Sequence, residues 1–455
     1  MPEIATWIEE RRKASALQVS AIPLSECQGW SLRDGKLVHQ TGGFFSIRGC
    51  RFQSSASHLN DLWLPMIDQP EVGLLGFVVR KGKNGWEWLL QAKTEPGSVG
   101  GTQVGPSVQA TRSNWLRRHG GKATPMLNLF EASSSASKLV SDGEQSEQGD
   151  RFLAKYNRNA VVLVDDSLEA PEGAWQWFAA HQLLKALGED TLINTDSRSV
   201  LWCSDWTLLL EPGQSVPFLR WQGRDGLGEA LLNSFRAGEA DNEDATGYRR
   251  AINALELKRQ QCQVHVEDVP LDSIRGWILD DNGLHPEQAK AGASIVKTVA
   301  VHTTDREVAS WCQPMLESTE EQKVILLCAI QEGVLQLAFS LSCEPGFREG
   351  VQFAPSLVSG PGHAHPGEWM EAAGCSSAVV RAATRQSDEG GRFLHSVALY
   401  QLIEVPPSWI ETPVADGLWV TVAAARRMAT MPGVLNPGVL NNELRSVLSM
   451  LLTWL

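Results

Sequence analysis

The chain repeats itself. Val19 to Trp30 (VSAIPLSECQGW) returns about 250 residues later as Val266 to Trp277 (VEDVPLDSIRGW), a period of domain size rather than of a short solenoid unit. Leu64 to Ile67 (LPMI) is echoed by Gln313 to Leu316 (QPML), Glu95-Pro96-Gly97 by Glu344-Pro345-Gly346, and Pro106-Ser107 by Pro355-Ser356. Farther on, Ser146 to Phe152 (SEQGDRF) matches Ser387 to Phe393 (SDEGGRF), and Asn194 to Leu201 (NTDSRSVL) matches Asn441 to Leu448 (NNELRSVL). Matches in the same order constrain the fold more than any single motif, because whatever one half builds the other must build again. The expected organisation is a first module over 1–210, a Gly/Pro/acidic linker over 211–247 and a second module over 248–455.

Local patterns agree between the halves. Each opens with a charged helix (Ile4 to Lys13; Arg249 to Gln261) and continues in short glycine-bounded strands. Leu74 to Val79 with Trp86 to Ala92, and Val324 to Ile330 with Val334 to Phe339, read as hairpins, and an amphipathic helix comes late in each half (Ala174 to Leu187; Leu418 to Met428). A short helix is expected inside the linker, from Gly228 to Phe235. The fold class is α+β, a tandem duplication of mixed α/β modules with antiparallel sheet.

The balance of 53 acidic to 40 basic residues argues against a broad nucleic-acid footprint, so an anionic ligand must be met by a local cluster of donors. The longest apolar run, Val324 to Ile330, is far short of a membrane span, and the charged N-terminus is no secretory signal. Eight cysteines without a C-x-x-C read as reduced core thiols of a cytoplasmic protein. His363-Ala364-His365 sits in a Gly/Pro loop without acidic or cysteine partners at metal spacing, so no metal site is expected.

Three strings carry a family resemblance. His39 to Gly49 (HQTGGFFSIRG), Gln91 to Gly97 (QAKTEPG) and Pro106 to Trp115 (PSVQATRSNW) resemble the NDP-hexose 2,3-dehydratases, and the likeness spans nearly the whole chain. The resemblance implies two Nudix-like modules per subunit, a homodimer, and sugar nucleotide held by both modules. It implies elimination of water across C2 and C3 of an NDP-4-keto-6-deoxyhexose, dTDP-linked in the usual case, with no cofactor. The product is a 2-deoxy-3,4-diketo sugar nucleotide for deoxysugar biosynthesis. The second half departs from the pattern at Pro355-Ser356-Leu357-Val358, at Ala398-Leu399-Tyr400 and near Ala293-Ser294, where a Phe-Phe pair is missing. Its pocket is either retuned or structural.

Such an elimination needs a base at C3, donors for the C4 oxygen and an acid for the leaving hydroxyl. Strand alternation places Lys93 and Glu95 on one face, as base and polarising cation or as a plain ion pair. His39, before a Thr41-Gly42-Gly43 turn, and Tyr400, one of three tyrosines, are candidate acids; structural hydrogen bonding and core packing are their plainer alternatives. Arg112, Ser113, Asn114, Trp115 and His119 form the densest donor cluster, suited to a diphosphate and a stacked base, with a solvated basic face as the alternative. Phe44, Phe45, Trp63, Gln109 and Thr111 are further candidates for contact with the sugar nucleotide. Arg151, Tyr156 and Arg158 follow the acidic glycine loop, and Glu344, Glu389 and Arg392 are the second half's candidates. Asn194, Asp196 and Arg198, echoed by Asn441, Glu443 and Arg445, read as helix starts with a cap and a first-turn acid, which function is not needed to explain.

Two other functions stay open on these residues. A Nudix-type hydrolase needs a glutamate-rich helix for magnesium, and no string supplies one. A non-catalytic sugar-nucleotide binder has less need of Lys93 beside Glu95.

Overall fold

Glycine-bounded apolar runs pair into four sheets. The computed structural model describes residues 3–111, 124–224, 226–238, 247–288, 293–304, 308–360, 363, 366–430 and 438–455. Both expected hairpins are present, as Gly73–Gly82 with Gly85–Thr94 and Gln322–Gln331 with Val334–Cys343, each at the centre of a seven-stranded sheet. The first sheet runs Ser137–Ser146, Tyr156–Val164, Gly73–Gly82, Gly85–Thr94, Trp175–Ala179. The other runs Val379–Ser387, Val397–Glu404, Gln322–Gln331, Val334–Cys343, Gly417–Thr421. In both, the second and third strands are parallel and their neighbours along this order antiparallel.

Two expected helices are shorter than their apolar pattern suggests. Ala174 to Leu187 divides into a strand, Trp175–Ala179, and a helix, Ala180–Ala186; Leu418 to Met428 divides into Gly417–Thr421 and Val422–Ala429. The aromatic run Trp175, Trp177 and Phe178 pairs with the free edge of Gly85–Thr94, where ladder hydrogen bonds and cross-strand packing outweigh helical periodicity. The hydroxyl of Thr421 caps its helix by accepting from Ala424 N at 3.2 Å.

The two smaller sheets exchange strands. Gln18–Ile22 pairs with Ser294–His302, in the sheet that also holds Trp277–Asp280, Gly283–Pro286 and Ser310–Ser318. Reciprocally, Val264–Val269 pairs with Ser46–Ser54, in the sheet of Trp30–Arg33, Lys36–His39, Leu62–Asp68 and Phe152–Leu153. The matched strings Val19 to Trp30 and Val266 to Trp277 therefore each begin on a strand that crosses to the other half. The cores are shared as well: Phe77, Trp88 and Trp202 belong to one apolar cluster with Leu326, Phe339 and Leu448, and Ile47 and Phe52 to another with Trp277 and Leu316. Within 211–247, the helix Leu227–Arg236 buries Leu231 and Leu232 in that core, and Ser234 Oγ donates to Leu335 O at 2.6 Å and accepts from Val422 N at 2.8 Å.

One cysteine pair corrects the expectation of reduced thiols. Cys262, just after the helix Tyr248–Gln261, and Cys343, closing the strand Val334–Cys343, form a disulfide. They lie 81 residues apart, so no spacing motif announces them; packing of the helix beside the strand brings them together. Among the described residues no helix is long and apolar enough to cross a membrane.

Candidate active site

The strand Gly85–Thr94 ends in the turn Glu95-Pro96-Gly97, which docks on a glycine loop of the other half. Gly97 N donates to Gly390 O at 2.8 Å, Gly390 N donates to Glu95 Oε2 at 3.1 Å, and His395 N donates to Gly97 O at 2.8 Å. The same contacts recur in the opposite sense. Gly346 N donates to Gly149 O at 2.5 Å, Gly149 N to Glu344 Oε2 at 3.0 Å and Ala154 N to Gly346 O at 2.7 Å. Glycine is required at both turns because a Cβ would lie 1.7 Å from Phe393 O at Gly97 and 1.8 Å from Phe152 O at Gly346. Two polar clusters result, each built from both halves.

In the first cluster Lys93 Nζ lies 3.2 Å from Glu95 Oε1, and Gln109 Nε2 donates to Asp196 Oδ2 at 2.9 Å. Glu147 accepts from Asn157 Nδ2 at 2.7 Å and Asn442 Nδ2 at 3.2 Å. Lys155 Nζ donates to the Glu71 carbonyl, and Gly391 N donates to Glu389 Oε2 at 2.8 Å. Arg392 Nε donates to Gln69 Oε1 at 3.1 Å while its guanidinium lies 4.2 Å over the Phe45 ring. Phe45 packs on Trp30, which meets His39 edge-on, and His39 meets Phe44 in turn, so an aromatic wall runs out from Arg392 to the half-exposed Phe44. Burial, with the charge of Glu95 added, pushes Glu389 up to about 8; burial pushes Glu147 up to about 7 against the pull of Arg445. Burial lowers Lys155 to about 8, against the charge of Glu147. Asp196 is held well above the carboxylate range by burial and by the charges of Glu147 and Glu95. Burial and neighbouring carboxyls thus drive these acids toward protonation, while burial favours loss of the Lys155 proton.

The second cluster is closed. Glu344 has no exposed surface and also accepts from Asn441 Nδ2 at 2.8 Å. Buried Arg151 donates to Asp388 Oδ2 at 2.6 Å and Gln322 Oε1 at 2.5 Å and lies 5.0 Å over the Phe393 ring. His363 Nε2 lies 3.6 Å from Asp150 Oδ2; burial alone would lower this imidazole, but Asp150 and the neighbouring carboxyls raise it to about 9. Burial pushes Glu344 up to about 8 and Glu443 up to about 7, and Glu443 Oε2 is buried without a hydrogen-bond partner among the described residues. Tyr400 is buried nearby, feeling Asp388, Glu443 and Arg151.

Residues 1–204 and 249–451 match the profile of the family described as NDP-hexose 2,3-dehydratase. The chain is 30% identical, over 92% of its length and 86% of the relative's, to a dTDP-4-dehydro-6-deoxy-alpha-D-glucopyranose 2,3-dehydratase of Saccharopolyspora spinosa. Proteins of the same description from Amycolatopsis orientalis (30% identity, 92% of this chain, 84% of the relative) and Streptomyces violaceoruber (29%, 92%, 91%) are similar to it as well. The chain belongs to the NDP-hexose 2,3-dehydratase family. The sensor and hydrolase alternatives lose their support, and the enzyme's task is removal of water across C2 and C3 of a nucleotide-linked hexose.

For this dehydratase the fold gathers some sequence candidates and separates others. Lys93, Gln109, Phe45, Glu389 and Arg392 join Glu95, with His39 and Phe44 on the aromatic wall; His39 Nδ1 also lies 2.9 Å from Thr41 Oγ1. Arg151 and Tyr400 join Glu344. Tyr156 donates to Glu349 Oε2 at 2.5 Å, and Arg158 donates to Asp142 Oδ1 at 2.6 Å across its strand pair. Trp63 donates to Asp61 Oδ1 and lies beneath the Arg51 guanidinium. Thr111 is half-buried just after the strand Val108–Ala110. Arg112, Ser113, Asn114, Trp115 and His119 lie outside the described residues.

Glu147 and Lys155 were missed, and Asp196 was taken for a helix-start acid alone. The signal was present: Glu147 and Asp196 stand inside the matched strings, at positions too polar for a core that nothing else would conserve between halves. An open cleft of about 470 Å³ lies elsewhere and touches none of these groups. It is lined by Lys185, Arg220 and Arg381, of which Lys185 and Arg381 are already paired with Glu3 and Glu404, so its volume carries no chemistry comparable to the carboxyl clusters.

Proposed function

We propose that elimination takes place at the Glu95 cluster, on a dTDP-4-keto-6-deoxyhexose. The C4 ketone acidifies C3–H, Glu95 removes that proton, and the enolate expels the C2 hydroxyl. Lys93 is the electrophile in this reading: as Glu95 is neutralised, the ammonium 3.2 Å away is released to the developing C4 oxyanion. The enol product then becomes the 3,4-diketone. Arg392, Phe45, Phe44 and His39 contact the sugar nucleotide, Gln109 and Glu389 line the reacting end, and Arg112 to His119 hold the diphosphate. The substrate follows from the relatives' descriptions.

One observation carries this reading. Glu95 receives a cation and a backbone N–H while the carboxyls around it are driven toward protonation, so base and acids stand side by side. Arg151, Tyr400 and Glu344 belong in the same reading to a second pocket turned structural. The scaffold is taken as two Nudix-like modules, 1–210 and 248–455, in a homodimer; the matching strand orders support the first part, the family resemblance the second.

Incubation with dTDP-4-keto-6-deoxyglucose in deuterated buffer tests the site. The parent should exchange the C3 hydrogen of unreacted substrate for deuterium and release a diketone deuterated at C2, Glu95→Gln should lose both while still binding, and Arg112→Ala should lose binding first. Unchanged kinetics in Glu95→Gln would remove that residue from the chemistry.

A further inference from the structure

We propose that Asp196 is the general acid of this dehydratase, giving its proton to the C2 hydroxyl as that group leaves; the assignment rests on Glu95 being the base. The backbone puts Asp196 beside the reacting end. Thr102–Gly105 pairs with Gly85–Thr94 so that Val104 faces Ala92, and Val104 also bridges to Ile193. Val104 O then accepts from Asn194 N at 3.4 Å and Ser197 Oγ at 3.2 Å, which fixes the first turn of the helix Thr195–Cys203 one strand away from Lys93.

At that turn the capping is done by Asn194, whose side chain accepts from Ser197 N at 2.9 Å. Asp196 is released from the usual task of a helix-start acid and turns to Gln109, whose neutral amide is the only hydrogen-bond partner of its carboxyl among the described residues. Glu95, by contrast, has an ammonium and a backbone N–H. Among the described residues the charged groups that act on Asp196 are Glu95 and Lys93 on the strand Gly85–Thr94 and its turn, Glu147 just after the strand Ser137–Ser146, and Asp388 and Glu389 from the other half. Four carboxyls face one ammonium, and Asp196 is 3% exposed, so burial and those neighbours oppose a further negative charge. Two carboxyls with opposed surroundings are the pattern that divides acid from base.

The protons balance. Glu95 takes the C3 proton, the C2–O bond breaks with its electron pair, and the Asp196 proton makes the leaving hydroxyl water. The C2=C3 enol then receives the Glu95 proton at C2 and returns its hydroxyl proton to Asp196, which restores both groups.

A substrate carrying fluorine in place of the C2 hydroxyl separates the two steps, because fluoride leaves without a proton. Asp196→Asn should eliminate water about 10²–10³-fold more slowly than the parent. Its exchange of C3 hydrogen for deuterium, and its release of fluoride from the analogue, should stay within about tenfold of the parent. Equal loss on both substrates, or full activity on the hydroxyl substrate, overturns the assignment. Glu95→Gln is read in parallel: loss of exchange there supports the base on which the assignment rests, and surviving exchange overturns that base whatever Asp196 does. Should Asp196→Asn not fold, the parent alone decides. Its turnover should fall at high pH with the hydroxyl substrate and not with the fluoro analogue, and matching high-pH limbs overturn the proposal.

Discussion

The clusters around Glu95 and Glu344 are assembled by the same exchange of turn and glycine loop, yet they hold opposite contents. Lys93 is matched by Ser342, Gln109 by Val358 and the small Gly391 by Asp150, so the first cluster keeps a cation beside its glutamate where the second has a hydroxyl. Its members Lys93, Gln109, Glu389 and Arg392 are only partly buried. In the second, buried Arg151 pairs with Asp388 and buried His363 with Asp150. The comparison teaches that two halves can share the backbone contacts that lock them together while the side chains around those contacts differ in charge.

The largest expected difference is kinetic. Glu95→Gln should lower kcat by about 10³-fold, within the range for loss of a general base, while Glu344→Gln should leave kcat within about tenfold of the parent. Equal losses would erase the distinction. The arginines should part the other way. Arg151→Ala leaves Asp388 without its cation and should cost about 3–5 kcal/mol in denaturant unfolding. Arg392→Ala, whose partners are an amide and an aromatic ring, should cost less stability and raise KM about tenfold; a reversed order would place the binding arginine in the closed cluster.

A smaller effect is read with pH. Folded His363 holds its proton up to about pH 9 whereas an unfolded histidine releases it near 6.5, so its contribution is complete below about 6.5 and disappears as pH rises through 9. Glu344, Glu389 and Glu443, raised to about 8, 8 and 7, add a slope of the same sign at lower pH, and Lys155, lowered to about 8, adds an opposing slope above it, so the His363–Asp150 pair is read from the difference between parent and variant. Between about pH 8 and 9 the melting temperature of the parent should fall relative to that of His363→Gln. Least affected of all should be Arg158→Ala: its pair with Asp142 is partly solvated, and unfolding should shift by at most about 1 kcal/mol with kinetics unchanged. A tenfold change in KM there would extend the site to that strand.

Much of the architecture was legible because it depends on local pattern. The hairpins at Gly73–Gly82 and Gln322–Gln331, the two charged helices and the caps Asn194 and Asn441 all lie where alternation, periodicity and capping chemistry place them. The late helices were over-read because a run such as Trp175 to Ala179 satisfies helical periodicity and still pairs as a strand when an edge is offered. The pairing of Lys93 with Glu95 was also visible, since residues two apart on a strand share a face.

By itself, then, the sequence determined the repeated elements, the family, and the ion pair at the end of one strand, because each is encoded in spacing along a single stretch of chain. Only tertiary structure decided that the halves trade strands, that Glu389 and Arg392 serve Glu95 while Arg151 and Tyr400 serve Glu344, and that Cys262 meets Cys343. The physical reason is that a charged group's neighbours in space, not in sequence, set its solvation and its field, and those neighbours are brought in from the opposite half.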